Sequence, residues 1–214
     1  MPITSQAVVL ADDDPNLLIR IREEASGLAF PPRGTVRCVG RPLFRTQTAR
    51  DVGCLLDVDP AVTAWACLPR VLHHRDEWHV PGLAVTRATH VTLLDAVPTS
   101  GAPPLPGWVP VAAQSLGHRY EIRHEIDVRD GFRLENARDL LRYASYRISL
   151  GDRVRLLALL DEHGPLPLAA CMQAVRDARD AIGVIAALAL RRFLEIELDE
   201  ARIGPDTRVA RFRG

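Results

Sequence analysis

Residues 79–98, HVPGLAVTRATHVTLLDAVP, read as a β-hairpin, two runs of β-branched and apolar residues broken by a short turn around Ala88 and Thr89. Working outward, VTAWACL (62–68), RVLHH (70–74) and EWHVPGLAV (77–85) have the same character, so the hairpin belongs to a small sheet. Before it, TQTARDVGCLLDVDP from Thr46 places Ala49, Val52, Leu55 and Leu56 on one helical face and stops at Pro60. Residues 1–32 form an extension: an acidic turn at Asp12, Asp13, Asp14 and Pro15, then an amphipathic helix over Asn16 to Ala25, ended by Gly27, Pro31 and Pro32.

Downstream of the hairpin, residues 98–117 hold five prolines and three glycines, a composition that predicts a loop or linker and a domain boundary. Residues 33–117 then form one domain, and 118–150 a connecting strand (HRYEIRHEIDV) and helix (RLENARDLLRYA). Residues 151–214 predict three helices and a hairpin. Asp152 caps the first helix, which runs to Glu162 and stops at Gly164 and Pro165; the second spans Leu168 to Val175, and the third, Arg179 to Phe193, is apolar on most sides and hence central. The closing hairpin turns at Gly204, Pro205 and Asp206, which completes a winged-helix pattern.

Composition limits the chemistry. With 214 residues and 47% hydrophobic side chains, the chain can build one sizeable core or two small ones. The formal net charge is zero, so any nucleic-acid contact must come from local patches. All 27 basic residues are arginine, which excludes every mechanism that needs a lysine ammonium. No GxSxG elbow, GxxxxGK[ST] loop or GxGxxG turn is present. Cys38, Cys54, Cys67 and Cys171 show no metal-site spacing and read as buried free thiols of a reducing cytoplasm. MPITSQAVVLADDDP has neither a basic n-region nor a long apolar run, and Ala181–Leu190 is half the roughly 20 residues of a membrane span. A cytoplasmic location without a membrane partner is therefore expected.

Helix, DP turn, strands, HVPGLAV and LLDAV, followed by a winged helix, together resemble the TnsA-like transposon endonucleases, a branch of the restriction-endonuclease fold. The likeness covers residues 35–214. It implies an α/β (α+β) architecture: a small mixed sheet with helices, then a winged-helix domain. It also implies a magnesium-dependent site built from a helix glutamate, a Pro-Asp pair and Glu-x-Lys. Carried onto this chain, the glutamate falls at or near Ala49, the Asp on Gly82, and Glu-x-Lys on Asp95, Ala96 and Val97. Only Asp95 keeps a carboxylate, which is too little to assemble a hard-cation site. The carboxylate is instead expected to form a buried hydrogen bond with His79 or His90.

Three readings follow. The first is a non-catalytic DNA-binding or DNA-processing accessory protein without a cofactor, acting in transposition with a protein partner. Its contact surfaces are Arg33, Arg37, Arg41, Arg45 and Arg50, where no acidic residue intervenes, and the wing arginines Arg202, Arg208, Arg211 and Arg213. The second is a Mg²⁺-dependent endonuclease that combines Asp95 with Asp57, Asp59 or Asp76; HHRDEWH (73–79) sets imidazoles beside carboxylates, but strand alternation sends His73 and His74 to opposite faces, and Asp76 and Glu77 read as a hairpin turn. The third is an interaction module that forms a homodimer through its apolar third helix, which offers few polar groups for reading base edges.

Overall fold

Thr46 begins the helix on which the first half of the molecule is built, its hydroxyl accepting from the Ala49 amide at 3.0 Å. The computed structural model describes residues 14–101 and 103–213. It is a mixed α+β structure in two compact units: one runs through Arg33 and from Arg37 to Val128, the other comprises Gly34–Val36 and the chain from Arg129 onward. Among the described residues no helix is long and apolar enough to cross a membrane.

The first unit contains α1 (Pro15–Ser26), α2 (Gln47–Val58), β1 (Val62–Cys67), β2 (Leu72–His74), β3 (Glu77–His79), β4 (Leu83–Arg87), β5 (Val91–Val97), α3 (Val109–Ser115), β6 (Arg119–His124) and α4 (Glu125–Val128). Its sheet has the order β1-β4-β5-β6; β1, β4 and β5 are antiparallel neighbours, and β6 returns parallel to β5. The expected hairpin over residues 79–98 is β4 and β5, with Leu83 opposite Leu94. A separate ribbon, β2 and β3, turns at Arg75 and Asp76, not at the Asp76–Glu77 pair that the sequence suggests. Arg75 takes the left-handed conformation there, at φ 55°.

Two boundaries differ from the sequence reading. Residues 98–117 are not loop throughout, because Val109–Ser115 form α3. Four of the five prolines precede this helix, and Pro110 lies in its first turn, where a missing N–H breaks no helical bond. Val109 and Ala113 then pack with Leu72, Ala84 and Leu93, the core that lets β6 follow. The division between units accordingly lies after Val128 rather than at 117, with β6 in the first sheet and α5 (Arg133–Leu141) in the second unit. The N-terminal helix α1 is also integral: Leu18, Ile21 and Ala25 are buried, and Arg22 Nη2 donates to Leu68 O at 2.8 Å. Of its expected acidic turn, Asp12 and Asp13 lie outside the described residues, while Asp14 caps the helix by accepting from the Leu17 amide.

The second unit continues with α6 (Leu150–His163), β7 (Leu166–Pro167), α7 (Leu168–Gln173), α8 (Ala181–Leu190), β8 (Leu194–Ile196) and β9 (Arg208–Arg211). Three helices and a closing pair of strands follow one another as the sequence predicts, with the two-residue strand β7 added between the first two helices, and the sheet has the order β7-β9-β8. As expected, α8 is central: every residue from Gly183 to Leu188 is buried. The cap of α6 is Ser149 rather than Asp152, since the Ser149 hydroxyl accepts from the Asp152 amide at 2.9 Å. Gly34 lies against this unit so closely that a Cβ would stand 2.7 Å from Leu141 O.

Two buried polar side chains fasten the loops of the second unit. Asn136 on α5 donates to Leu198 O and Ala201 O at 2.9 and 2.7 Å and accepts from the Ile203 amide at 3.0 Å, which pins the long turn between β8 and β9. Asp152 accepts from the Arg176 and Asp177 amides at 2.9 and 3.2 Å and from Arg155 at 2.7 Å. Burial pushes its carboxyl up, but these donors outweigh it and hold the pKa at about 2. Asn136→Ala should cost about 3 kcal/mol in urea unfolding, because it strands two carbonyls and an amide that were satisfied. Because the Asp152 pKa is depressed on folding, its contribution is present above the unfolded value near 4 and lost as pH falls from about 4 to about 2; Asp152→Asn should flatten that acid limb in a pH series of melting curves.

Candidate functional site

Strand register determines what surrounds Asp95. On β5 it follows Leu94, whose partner is Leu83, so its side chain lies beside Gly82 at the entry to β4. The Gly82 amide donates to Asp95 Oδ1 at 2.8 Å. His79, at the end of β3, contacts Oδ2 at 2.7 Å. Tyr120 on β6 donates its hydroxyl to the same oxygen, also at 2.7 Å. Arg45 Nη2 stands 4.0 Å from Oδ1 while donating to Val80 O at 2.6 Å. Asp95 is only 5% exposed, yet its carboxylate has partners on β3, just before β4 and on β6, and a guanidinium nearby.

Burial pushes the Asp95 carboxyl up, but the hydrogen bond and charge of His79, the Tyr120 hydroxyl and the Gly82 amide together hold it below the usual carboxylate value. An ionised carboxylate only accepts, so His79 presents its Nε2–H to it. The Tyr120 phenol is pushed up, first by burial and then by the neighbouring Asp95 charge.

Such an arrangement anchors strands and does not fit a metal. Mg²⁺ needs oxygens free to coordinate, whereas Oδ2 accepts two hydrogen bonds and Oδ1 accepts one beside an arginine. The other positions implied by the resemblance supply none: Ala49 is buried on α2, Gly82 has no side chain, and Val97 ends β5 opposite His124. A Cβ on Gly82 would meet Leu94 O at 3.5 Å and Asp95 Oδ1 at 3.7 Å, ordinary contacts, so the backbone there has space for a Cβ.

The relocated carboxylates have other tasks. Asp57 is buried and accepts from Trp65 Nε1 and the Arg37 amide, each at 2.9 Å. Asp59 accepts from the Ala61 amide and lies 3.7 Å from Arg87. Asp76 lies in the exposed turn of the β2–β3 ribbon. In that ribbon His73 pairs with Trp78 and His74 with Glu77, and His74 stacks on Trp108. Among the described residues no three His, Cys, Asp or Glu side chains gather where they could hold an ion. His90 contacts Thr89 and Arg119 instead of Asp95.

The arginine surfaces are smaller than the sequence suggests. Arg33 and Arg41 are exposed and Arg37 is half-buried. Arg45 turns toward Asp95, and Arg50 is no surface contact, being 1% exposed, over the Phe44 ring and bonded to Pro32 O at 2.6 Å. Around the β8–β9 turn, Arg202 forks across Glu135 and Asp139, and Arg211 pairs with Asp161 at 2.9 Å. Arg208 and Arg213 remain exposed. Of the four cysteines, all free, Cys54, Cys67 and Cys171 are buried and Cys38 half-buried.

No family model matches the chain, and no curated protein matches it.

Asp95→Ala should lower the stability of the first unit by about 3 kcal/mol, since it orphans an imidazole, a phenol and a backbone amide. Tyr120→Phe should cost only about 1 kcal/mol, as it removes one donor of several. Equilibrium urea curves on the full chain would check both.

Proposed function

We propose that this chain is a non-catalytic DNA-binding accessory protein, derived from a TnsA-like endonuclease. The observation that carries the reading is the state of the expected catalytic position: Gly82 replaces one carboxylate, and the remaining one, Asp95, is committed to strand-anchoring hydrogen bonds. Glycine at a position where a Cβ would make only ordinary contacts fits a site that has lost its metal ligand while keeping its backbone.

DNA contact is assigned to Arg33 and Arg41 in the first unit and to Arg208 and Arg213 in the second, the expected arginines that are exposed and lack a carboxylate partner in the described structure. Because α8 directs its apolar side chains into its own core, it neither reads base edges nor offers a dimer face as a whole; only Ile182 among them is substantially exposed. Binding is therefore to phosphates and independent of sequence.

The test combines supercoiled plasmid with Mg²⁺ or Mn²⁺ and band shifts over a salt series. The plasmid should stay intact while the shift weakens with salt, and the pair Arg208→Ala and Arg213→Ala should reduce the salt slope by about 0.9 for each phosphate that is no longer neutralised. Cutting that disappears in Asp95→Ala would replace this reading with an active endonuclease.

A further inference from the structure

The two edges of the first unit's sheet are treated differently. Outside β1, the chain at residues 37–39 closes the edge: Trp65 N donates to Arg37 O at 3.0 Å and Val39 N to Trp65 O at 2.7 Å, with Cys38 bridged to Trp65. Outside β6, no strand of the described residues pairs. Edges that must stay unpaired usually carry proline, charged side chains (lysine above all), a bulge or a short strand; the charges of β6, Arg119, Glu121 and Arg123, are of both signs, so a strand of complementary pattern meets attraction in place of repulsion. β6, RYEIRH, has six residues, contains neither proline nor glycine, and pairs with β5 without a register shift. It is an open template for another strand.

We propose that β6 pairs antiparallel with β6 of a second copy about a two-fold axis at Ile122. The side chains select both the partner and the register. Since alternate residues of a strand direct their N–H and C=O outward, two such edges can only shift past each other in steps that keep outward residues opposite outward residues. Centring the pair on Glu121 puts Glu121 against its own copy and Arg119 against the partner's Arg123, like charge on like. A pair centred on Arg123 again sets like charges together. Centring on Ile122 places Glu121 opposite the partner's Arg123 at both symmetric positions, Ile122 against Ile122, and Tyr120 opposite the partner's His124.

The groups needed are presented in that form. Ile122 is 41% exposed, and Glu121 and Arg123 already share one face, their charged atoms 3.2 Å apart. In the dimer each arginine gains a second carboxylate, and the exposed isoleucines cover each other. Repulsion in the neighbouring registers fixes one geometry.

Sedimentation equilibrium on the full chain tests this. The wild-type protein should be a reversible dimer; Arg123→Glu sets glutamate against glutamate twice and should raise the dimer dissociation constant about tenfold or more, and adding Glu121→Arg should restore it to within about threefold. Independently, Ile122→Cys lies on the axis and should form a disulfide-linked dimer on copper-phenanthroline oxidation, whereas Arg119→Cys, with wild type as the control for Cys38, should not. A monomer at every soluble concentration, or a dimer indifferent to Arg123→Glu, overturns the proposal.

Discussion

A buried carboxylate must be fully partnered or it would not stay charged, and in the first unit that demand falls on Asp95. Its partners come from β3, from the start of β4 and from β6, with Arg45 reaching in from the segment before α2. These pieces lie far apart along the chain, yet each must be correctly placed for the others to be satisfied. The crossing to β6 illustrates this. α3 buries Val109 and Ala113 against the sheet, which brings β6 alongside β5, and only then does the Tyr120 hydroxyl meet Oδ2.

The second unit uses the same physical device at two places. Asn136 satisfies backbone groups of the long β8–β9 turn, and Asp152 satisfies the amides that follow α7. Apolar packing around α8 supplies the cohesive surface, but it has no direction and would tolerate several positions of those loops. Hydrogen bonds from buried side chains select one position, because any other leaves polar groups dry and unpaired.

This division explains what could be read in the sequence. Helices α2 and α6 and the hairpin of β4 and β5 were legible because apolar periodicity and chain-breaking residues are local signals. The two-residue strand β7 was not, being too short to carry a period, and α3 was hidden by the prolines before it. His79 could be named with His90 as an alternative partner of Asp95 because both lie within the same short stretch of chain; Tyr120 carried no such signal, as its contact depends on the parallel crossover. The cap assigned to Asp152 belongs to Ser149, and the difference lies in which group faces the amide, something spacing alone does not fix.

Counting arginines misjudges a surface for a related reason. Lysine carries a compact, strongly hydrated charge that is kept in water, whereas guanidinium is planar, weakly hydrated and forked, so it can be buried against a ring or laid across two carboxylates. In a chain whose 27 cations are all arginine, a basic run in sequence need not be a basic patch in space. Arg50, inside the most promising run, is over Phe44 in the core, and Arg202 in the β8–β9 turn bridges Glu135 to Asp139. Much of the balanced charge of the sequence is thus paired within the fold, and any phosphate contact must rest on the few guanidinium groups that the carboxylates leave exposed. A surface of that kind suits transient, salt-sensitive contact with a backbone better than tight recognition, and an assembly that doubled the chain would double those few contacts along one nucleic acid.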